Sequence, residues 1–247
     1  MAPRQGRVLC RREELALTEG LTPGQAQLLS DKSLTRADRI LADCARGDIF
    51  LLTMQDAAYP ARLRDIFDPP VLLYGKGSLP LFDEEAAIAV VGTRSCTPYG
   101  LRCAHRMGYE LARQGAVVVS GMAKGIDGAA MRGALQAGGF TAAVLGGGVD
   151  VVYPAENRRY MKISPPPACC CRSIRRERSP RAPIFRYAIE LSPDCALEHW
   201  WWSAGRSGAL ITAETALEQG RDVFAVPGPI DAPCSAGCNR LIREARA

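Results

Sequence analysis

From residue 86 onward, short apolar runs alternate with longer stretches whose apolar positions recur at helical spacing. The pattern predicts strands at 87–91, 116–119, 141–145 and 223–226, and helices at 98–114, 126–136 and 209–219. Unbroken apolar runs of this kind are typical of strands buried on both faces. We therefore predict an α/β fold: an extended, Rossmann-like parallel sheet with helices on both faces.

The first part of the chain has a different character. Residues 1–47 are polar and helical in pattern, with arginine-rich turns. Residues 48–78 form short extended pieces joined by proline turns. A length of 247 residues suits one large domain with a small appendage. We predict a small helical segment at 1–47 and the Rossmann-like domain at 48–247.

Composition narrows the function classes. The net charge of +5 permits a polyanionic partner without demanding one. No apolar run approaches the ~20 residues of a membrane helix, and no secretory signal follows the basic start, so we expect a cytoplasmic protein without membrane contact. The ten cysteines form no C-x-x-C pair. We therefore expect free thiols, no metal and no cofactor.

Three predicted strands end in glycine-rich turns. They are G-T-R at 92–94, S-G-M-A-K-G-I-D at 120–127 and G-G-G-V-D at 146–150. Ligands of doubly wound sheets bind where strands end, and helix N-termini attract anions there. Arg94 and Lys124 add full positive charges. A single glycine turn often has only a steric cause, but three turns with two cations predict a phosphate-binding edge.

Catalytic machinery is not evident in the sequence. There is no Walker motif, and no G-x-G-x-x-G follows the first strand. His105 lies within a predicted helix, where packing or exposure is the commoner role, and His199 lies in an irregular segment. Asp127 could act as an acid, although an Asp in the first turn of a helix is more often a cap or dipole partner.

Seven strings together resemble the DprA/Smf family of DNA-processing proteins. They run in order from residue 56 to residue 242: D-A-A-Y-P-A-R-L-R-D-I-F-D-P-P-V-L-L-Y-G-K-G (56–77), V-V-G-T-R-S-C-T-P-Y-G (90–100), V-S-G-M-A-K-G-I-D (119–127), G-G-G-V-D-V-V-Y-P-A-E-N (146–157), R-S-G-A-L-I-T-A (206–213), F-A-V-P-G (224–228) and G-C-N-R-L-I (237–242). The resemblance covers residues 48–163 and 204–245.

The resemblance implies a protein that binds single-stranded DNA, protects incoming strands and helps to load the RecA recombinase on them during natural transformation. It also implies a homodimer and a shortened form of the family's N-terminal helical domain. The family's DNA-contacting arginine would be Arg94, and Lys124 is a weaker match. The residues expected at the DNA are Gly92, Thr93, Arg94, Ser120, Gly121, Lys124, Gly125, Asp127, Gly146, Gly147, Gly148, Asn157, Ser207 and Gly208. Tyr99 and Tyr153 are candidates for base stacking.

An enzyme is the competing hypothesis. Rossmann enzymes of the nucleoside-monophosphate phosphoribohydrolase type cleave nucleotides with a P-G-G-x-G-T-x-x-E motif, which this sequence lacks. Release of free base from a nucleotide would favour the enzyme over a non-catalytic binding protein.

Residues 168–203 interrupt the pattern. They contain Cys169–Cys171, a basic run from 172 to 181 and Trp200–Trp202, and neither a period of 2 nor one of 3.6 is visible. We therefore expect this segment not to belong to the fold as written. A frameshift is one explanation, and a divergent insertion is the alternative.

Codon degeneracy supports the frameshift hypothesis. Read from the third base of each codon, residues 169–177 can encode L-L-S-E-Y-P-P-G, residues 186–195 V-R-N-R-I-I-S-G-L and residues 198–203 A-L-V-V-E. The resemblance implies these three motifs in this order. Because synonymous codons can be chosen freely, one short match arises easily by chance. Three matches in the same shifted frame and in the expected order do not. The expected consequence is lower stability and weaker DNA binding, even with Arg94 intact.

Overall fold

The computed structural model describes residues 33–66, 69–151 and 221–244, isolated positions outside these ranges, and the backbone of two strands at 168–172 and 196–202. The isolated positions are 22, 24, 154, 156, 157, 209, 212, 213, 216 and 217. The chain divides into two compact units, Met1–Arg46 and Gly47–Ala247. In the first unit, helix α1 spans Thr35–Arg46.

The second unit is built on an eight-stranded sheet. Its strands are β1 (Phe50–Thr53), β2 (Leu72–Lys76), β3 (Ala87–Gly92), β4 (Val117–Ser120), β5 (Thr141–Leu145), β6 (Ala168–Arg172), β7 (Ala196–Trp202) and β8 (Asp222–Ala225). The helices are α2 (Ala61–Arg64), α3 (Pro98–Arg113), α4 (Ile126–Gln136) and α5 (Ala236–Glu244). The predicted fold class is confirmed, and the predicted strands and helices from 87 to 145 agree to within a residue.

The strand order is β1-β2-β6-β5-β4-β3-β7-β8. The six strands from β6 to β8 run parallel, and β1 and β2 add an antiparallel hairpin beyond β6. The chain starts the parallel sheet at β3, builds outward to β6, and then returns to the other side of β3 with β7. The order therefore reverses between β3 and β7.

Both faces of the parallel sheet are covered. In β4, Val117 and Val119 pack into one apolar cluster and Val118 packs into the other, beneath α3 and α4. The two helices approach so closely that a Cβ at Gly133 would collide with the backbone carbonyl of His105. This close contact explains the small residues along the helices, because only short side chains leave room for it.

The segment 48–78 has a structural role in the hairpin. The Asp56 carboxylate accepts hydrogen bonds from the Thr53 amide at 2.6 Å and the Thr53 hydroxyl at 2.8 Å. These bonds lower the pKa of Asp56 below its usual value. The buried Tyr59 donates its hydroxyl to the Pro70 carbonyl at 2.7 Å, and the Arg64 guanidinium lies over the Tyr59 ring. Leu63 is fully buried beside them.

The irregular segment contributes two strands to the sheet. β6 pairs with β5 and β2, and β7 pairs with β3 and β8. The expectation that residues 168–203 do not belong to the fold is therefore wrong for the backbone of these two strands. Main-chain hydrogen bonding explains the difference, since a ladder forms between backbone groups whatever the side chains are. The rest of the segment lies outside the described residues.

Within the described ranges, none of the helices combines the length and apolar character needed to cross a bilayer. The same ranges hold no cluster of His, Cys, Asp or Glu suited to a metal ion. The cysteines described with their side chains are free thiols, namely Cys44, Cys96, Cys103, Cys234 and Cys238.

Candidate nucleic-acid interface

The three glycine turns lie side by side. They follow β3, β4 and β5, which are adjacent and parallel in the sheet. Parallel strands end at the same edge, so the turns at 92–94, 120–127 and 146–150 form one rim. Arg94 follows β3, next to the point where the strand order reverses. That position is where doubly wound sheets bind their ligands.

The first two turns are packed against each other. Gly125 has a φ of +90°, and a Cβ there would collide with the Thr93 carbonyl oxygen. The Thr93 carbonyl also accepts a hydrogen bond from the Ile126 amide at 3.3 Å. The Thr93 hydroxyl accepts from the Ser95 amide at 3.2 Å within the same turn. Glycine is therefore needed at position 125, because the two turns approach each other too closely for a Cβ.

Asp127 is buried beneath this rim, with 3% of its surface exposed. Its carboxylate accepts the Gly92 amide at 3.2 Å and the amides of Gly121 and Ala123. Burial raises the pKa of Asp127 to about 6, although the three amides and the charge of Arg94 act in the opposite direction. The carboxylate therefore already satisfies amide donors that the sequence had suggested for a phosphate.

Two further polar residues of the expected site are also buried. Ser120 donates its hydroxyl to the Val90 carbonyl at 2.7 Å, which ties the end of β4 to β3. Asn157 donates its side-chain amide to the Met122 carbonyl at 2.8 Å. Met122 has a φ of +53°, an uncommon conformation that this bond helps to hold. Ser120 and Asn157 shape the rim from below.

Arg94 and Lys124 remain at the surface of the rim, where both are exposed. The Lys124 ammonium lies 3.4 Å from the Glu156 carboxylate, and both side chains are largely exposed. An exposed pair of this kind is weak, because water screens it. A phosphate can therefore compete with Glu156 for Lys124, while Arg94 lies above the buried charge of Asp127.

The third turn is more open. Gly146, Gly147 and Gly148 are half-buried, and a Cβ at Gly147 would meet no atom within 4 Å. On the side of β3, Tyr99 is 40% exposed, and its hydroxyl donates to the Pro227 carbonyl at 3.3 Å. Ser207, Gly208 and Tyr153 lie outside the described residues.

Comparison with known proteins agrees with this architecture. The family model for DNA recombination-mediator protein A matches residues 50–168 and 202–247. The chain belongs to the DprA/Smf family. It is 35% identical to the DNA processing protein DprA of Bacillus subtilis, over 83% of this chain and 70% of that protein.

Two solved structures of family members resemble the chain. The DprA of Streptococcus pneumoniae superposes with a TM-score of 0.82 at 33% identity, covering 96% of this chain and 82% of that one. The DprA of Helicobacter pylori, whose structure was described for its single-stranded DNA binding mode, superposes at 0.70 with 26% identity, covering 81% and 91%. The DNA-processing family predicted from the motifs is confirmed.

The family match has one internal gap, at residues 169–201. This gap lies within the irregular segment 168–203 and includes nearly all of it. The chain therefore matches the family on both sides of a stretch that the family model does not match. The gap does not discriminate between a frameshift and a divergent insertion, so the frameshift stays a prediction.

Proposed function

We propose that the chain binds single-stranded DNA along the rim, with Arg94 and Lys124 holding the phosphates. In this proposal the protein protects incoming strands, helps to load RecA on them during natural transformation, and works in the cytoplasm as a homodimer. It acts by binding, not by catalysis. The observation that carries the proposal is the position of Arg94, exposed at the reversal of strand order in a DprA/Smf fold.

The chemistry of the rim supports this proposal. A strand of DNA carries one charge per phosphate and is held by cations spaced along a groove. Arg94 presents a planar fork of donors suited to a phosphate, and Lys124 presents a mobile point charge. The half-exposed glycines of the third turn leave room for a backbone to approach. The structure of the Helicobacter pylori relative was described for its single-stranded DNA binding mode, which supports single-stranded DNA as the ligand.

Salt dependence tests the proposal directly. Each phosphate contact to a single strand contributes a slope of about −0.7 to log affinity against log salt. With Arg94 and Lys124 engaged, we expect a slope of about −1.4 or steeper for a single-stranded oligonucleotide. Fluorescence anisotropy with single-stranded and duplex oligonucleotides of the same sequence measures it. A slope near zero, or tighter binding of the duplex, would contradict the proposal.

Arg94→Ala isolates the main cation. We expect single-strand affinity to fall by about tenfold and the salt slope to become shallower by about 0.7, because one charged contact to phosphate is lost. The loss should be equal for all sequences, since phosphates carry no base information. Arg113→Ala is the matched control: Arg113 ends α3 at the opposite edge of the sheet and pairs with Glu110. Equal losses in both variants would argue against the rim.

A further inference from the structure

Beside the N-terminus of α4, backbone amides that could attract an anion are already bonded to a buried carboxylate. Asp127 lies in the first turn of this 11-residue helix and is almost completely buried. Its carboxylate accepts the amides of Gly92, Gly121 and Ala123, which come from the turns after β3 and β4. These three donors are gathered around one carboxyl group, and backbone amides grouped in this way also bind phosphate.

We propose that Asp127 is a specificity-determining residue: its carboxylate occupies this amide cradle and excludes the terminal phosphate of a free nucleotide. The exposed cations Arg94 and Lys124 are then left to hold the diester backbone of a strand. The inference rests on the proposed function, because it specifies which phosphates the rim accepts. With the cradle filled in this way, a Rossmann-like fold would bind a DNA strand and not a mononucleotide.

Charge decides between the two kinds of phosphate. The terminal phosphate of a nucleotide carries close to two charges at pH 7, whereas a diester carries one. To use the cradle, a dianion would have to lie against the ionised Asp127, where burial weakens the screening by water. A diester held by Arg94 and Lys124 stays at the surface, outside the cradle.

Protonation of Asp127 removes the charge that holds its side chain on these amides, so a dianion can then displace the neutral side chain from the cradle. Its pKa of about 6 places this change in an accessible range. Arg94 faces the carboxyl group from the turn after β3, and Cys96 lies on the same turn with Arg132 of α4 near it. Burial raises the pKa of Cys96 above its usual value, so this thiol stays neutral.

Sulfate is the probe, because it remains a dianion between pH 5 and 7.5. If sulfate binds only when Asp127 is protonated, its apparent affinity should rise about thirtyfold from pH 7.5 to 5, following the protonated fraction. Calorimetry gives the affinity, and the backbone amide signals of Gly92, Gly121 and Ala123 in NMR spectra give the position. Affinity that does not change with pH, or shifts confined to other residues, would overturn the proposal.

Asp127→Asn removes the charge but keeps the size of the side chain. In this variant sulfate affinity at pH 7.5 should equal that of the unmodified chain at pH 5, with no further change on acidification. His105→Gln is the matched control, because His105 bonds to Gln136 at the far end of α4 and should leave the pH response intact. If Asp127→Asn does not fold, the pH series on the unmodified chain still decides.

The outcome is separable from the proposed function. If the chain does not bind single-stranded DNA but shows the expected sulfate response, the proposed function is wrong and the proposal for Asp127 stands. If DNA binding depends on salt but sulfate does not bind at pH 5, the proposed function stands and the proposal for Asp127 is wrong.

Discussion

Gly125→Ala should destabilise the chain by about 3–5 kcal/mol and abolish DNA binding. Two costs add together. The φ of +90° is unfavourable for any residue with a Cβ, and the new methyl group would collide with the Thr93 carbonyl, a backbone atom that cannot rotate away. Relief of this collision separates the turns that carry Arg94 and Lys124. Chemical denaturation and oligonucleotide binding measure the two effects.

Gly115→Ala is the matched control for this prediction. Gly115 has a similar φ of +84°, but a Cβ there would meet nothing within 4 Å. It should therefore cost only the conformational part, about 1–2 kcal/mol, and leave DNA binding unchanged. If the two variants lose the same free energy of unfolding, the tight packing between the turns is not what requires glycine at 125.

Restoring the alternative reading frame over residues 169–203 should stabilise the chain by about 3 kcal/mol or more, which raises the melting temperature by about 6–12 °C. β7 lies between β3 and β8, where a small β-branched residue suits a sheet covered on both faces. The alternative frame places A-L-V-V-E in this strand, where the chain has E-H-W-W-W. Single-strand affinity should increase together with the cooperativity of the melt.

The control is a variant that carries the alternative-frame segment with its residues shuffled. It has the same composition but not the family motifs, so it should gain nothing. Sequencing of the gene gives a second, independent test. Codons that are incompatible with L-L-S-E-Y-P-P-G, V-R-N-R-I-I-S-G-L and A-L-V-V-E would refute the frameshift, and the segment would then be a divergent insertion.

The central part of the fold was predictable because its signals are local. Apolar runs such as 87–91 and 141–145 are too short for helices and are bounded by glycine, and Thr97-Pro98 marks the start of α3 with a cap that accepts the Gly100 amide. The pairing of the edge hairpin was harder to predict from the sequence. Whether β1 and β2 join β6, and in which direction, depends on contacts between residues about 100 positions apart.

The position of the site at the rim was predictable from the sequence. Which of its residues are exposed and which are buried was not. Glycine turns and cations could be located from the sequence, and the structure brings them together. The sequence could not show that Asp127, Ser120 and Asn157 point inward, because burial depends on how the turns after β3 and β4 fold against each other. The sequence favoured a cap or dipole partner for Asp127, but α4 has no side-chain cap: the carboxylate accepts amides of the turns after β3 and β4 instead.

The position of β6 affects how the chain forms during synthesis. β3, β4 and β5 each pair with a neighbour made shortly before or after them, but the hairpin of β1 and β2 is joined to the sheet through β6. At the usual speed of translation, β6 is made about 5–20 s after β2. During this interval the open edge of β2 has no partner from its own sheet. Nascent chains therefore expose an unpaired strand that can join another chain, and a segment that delays β6 prolongs that exposure.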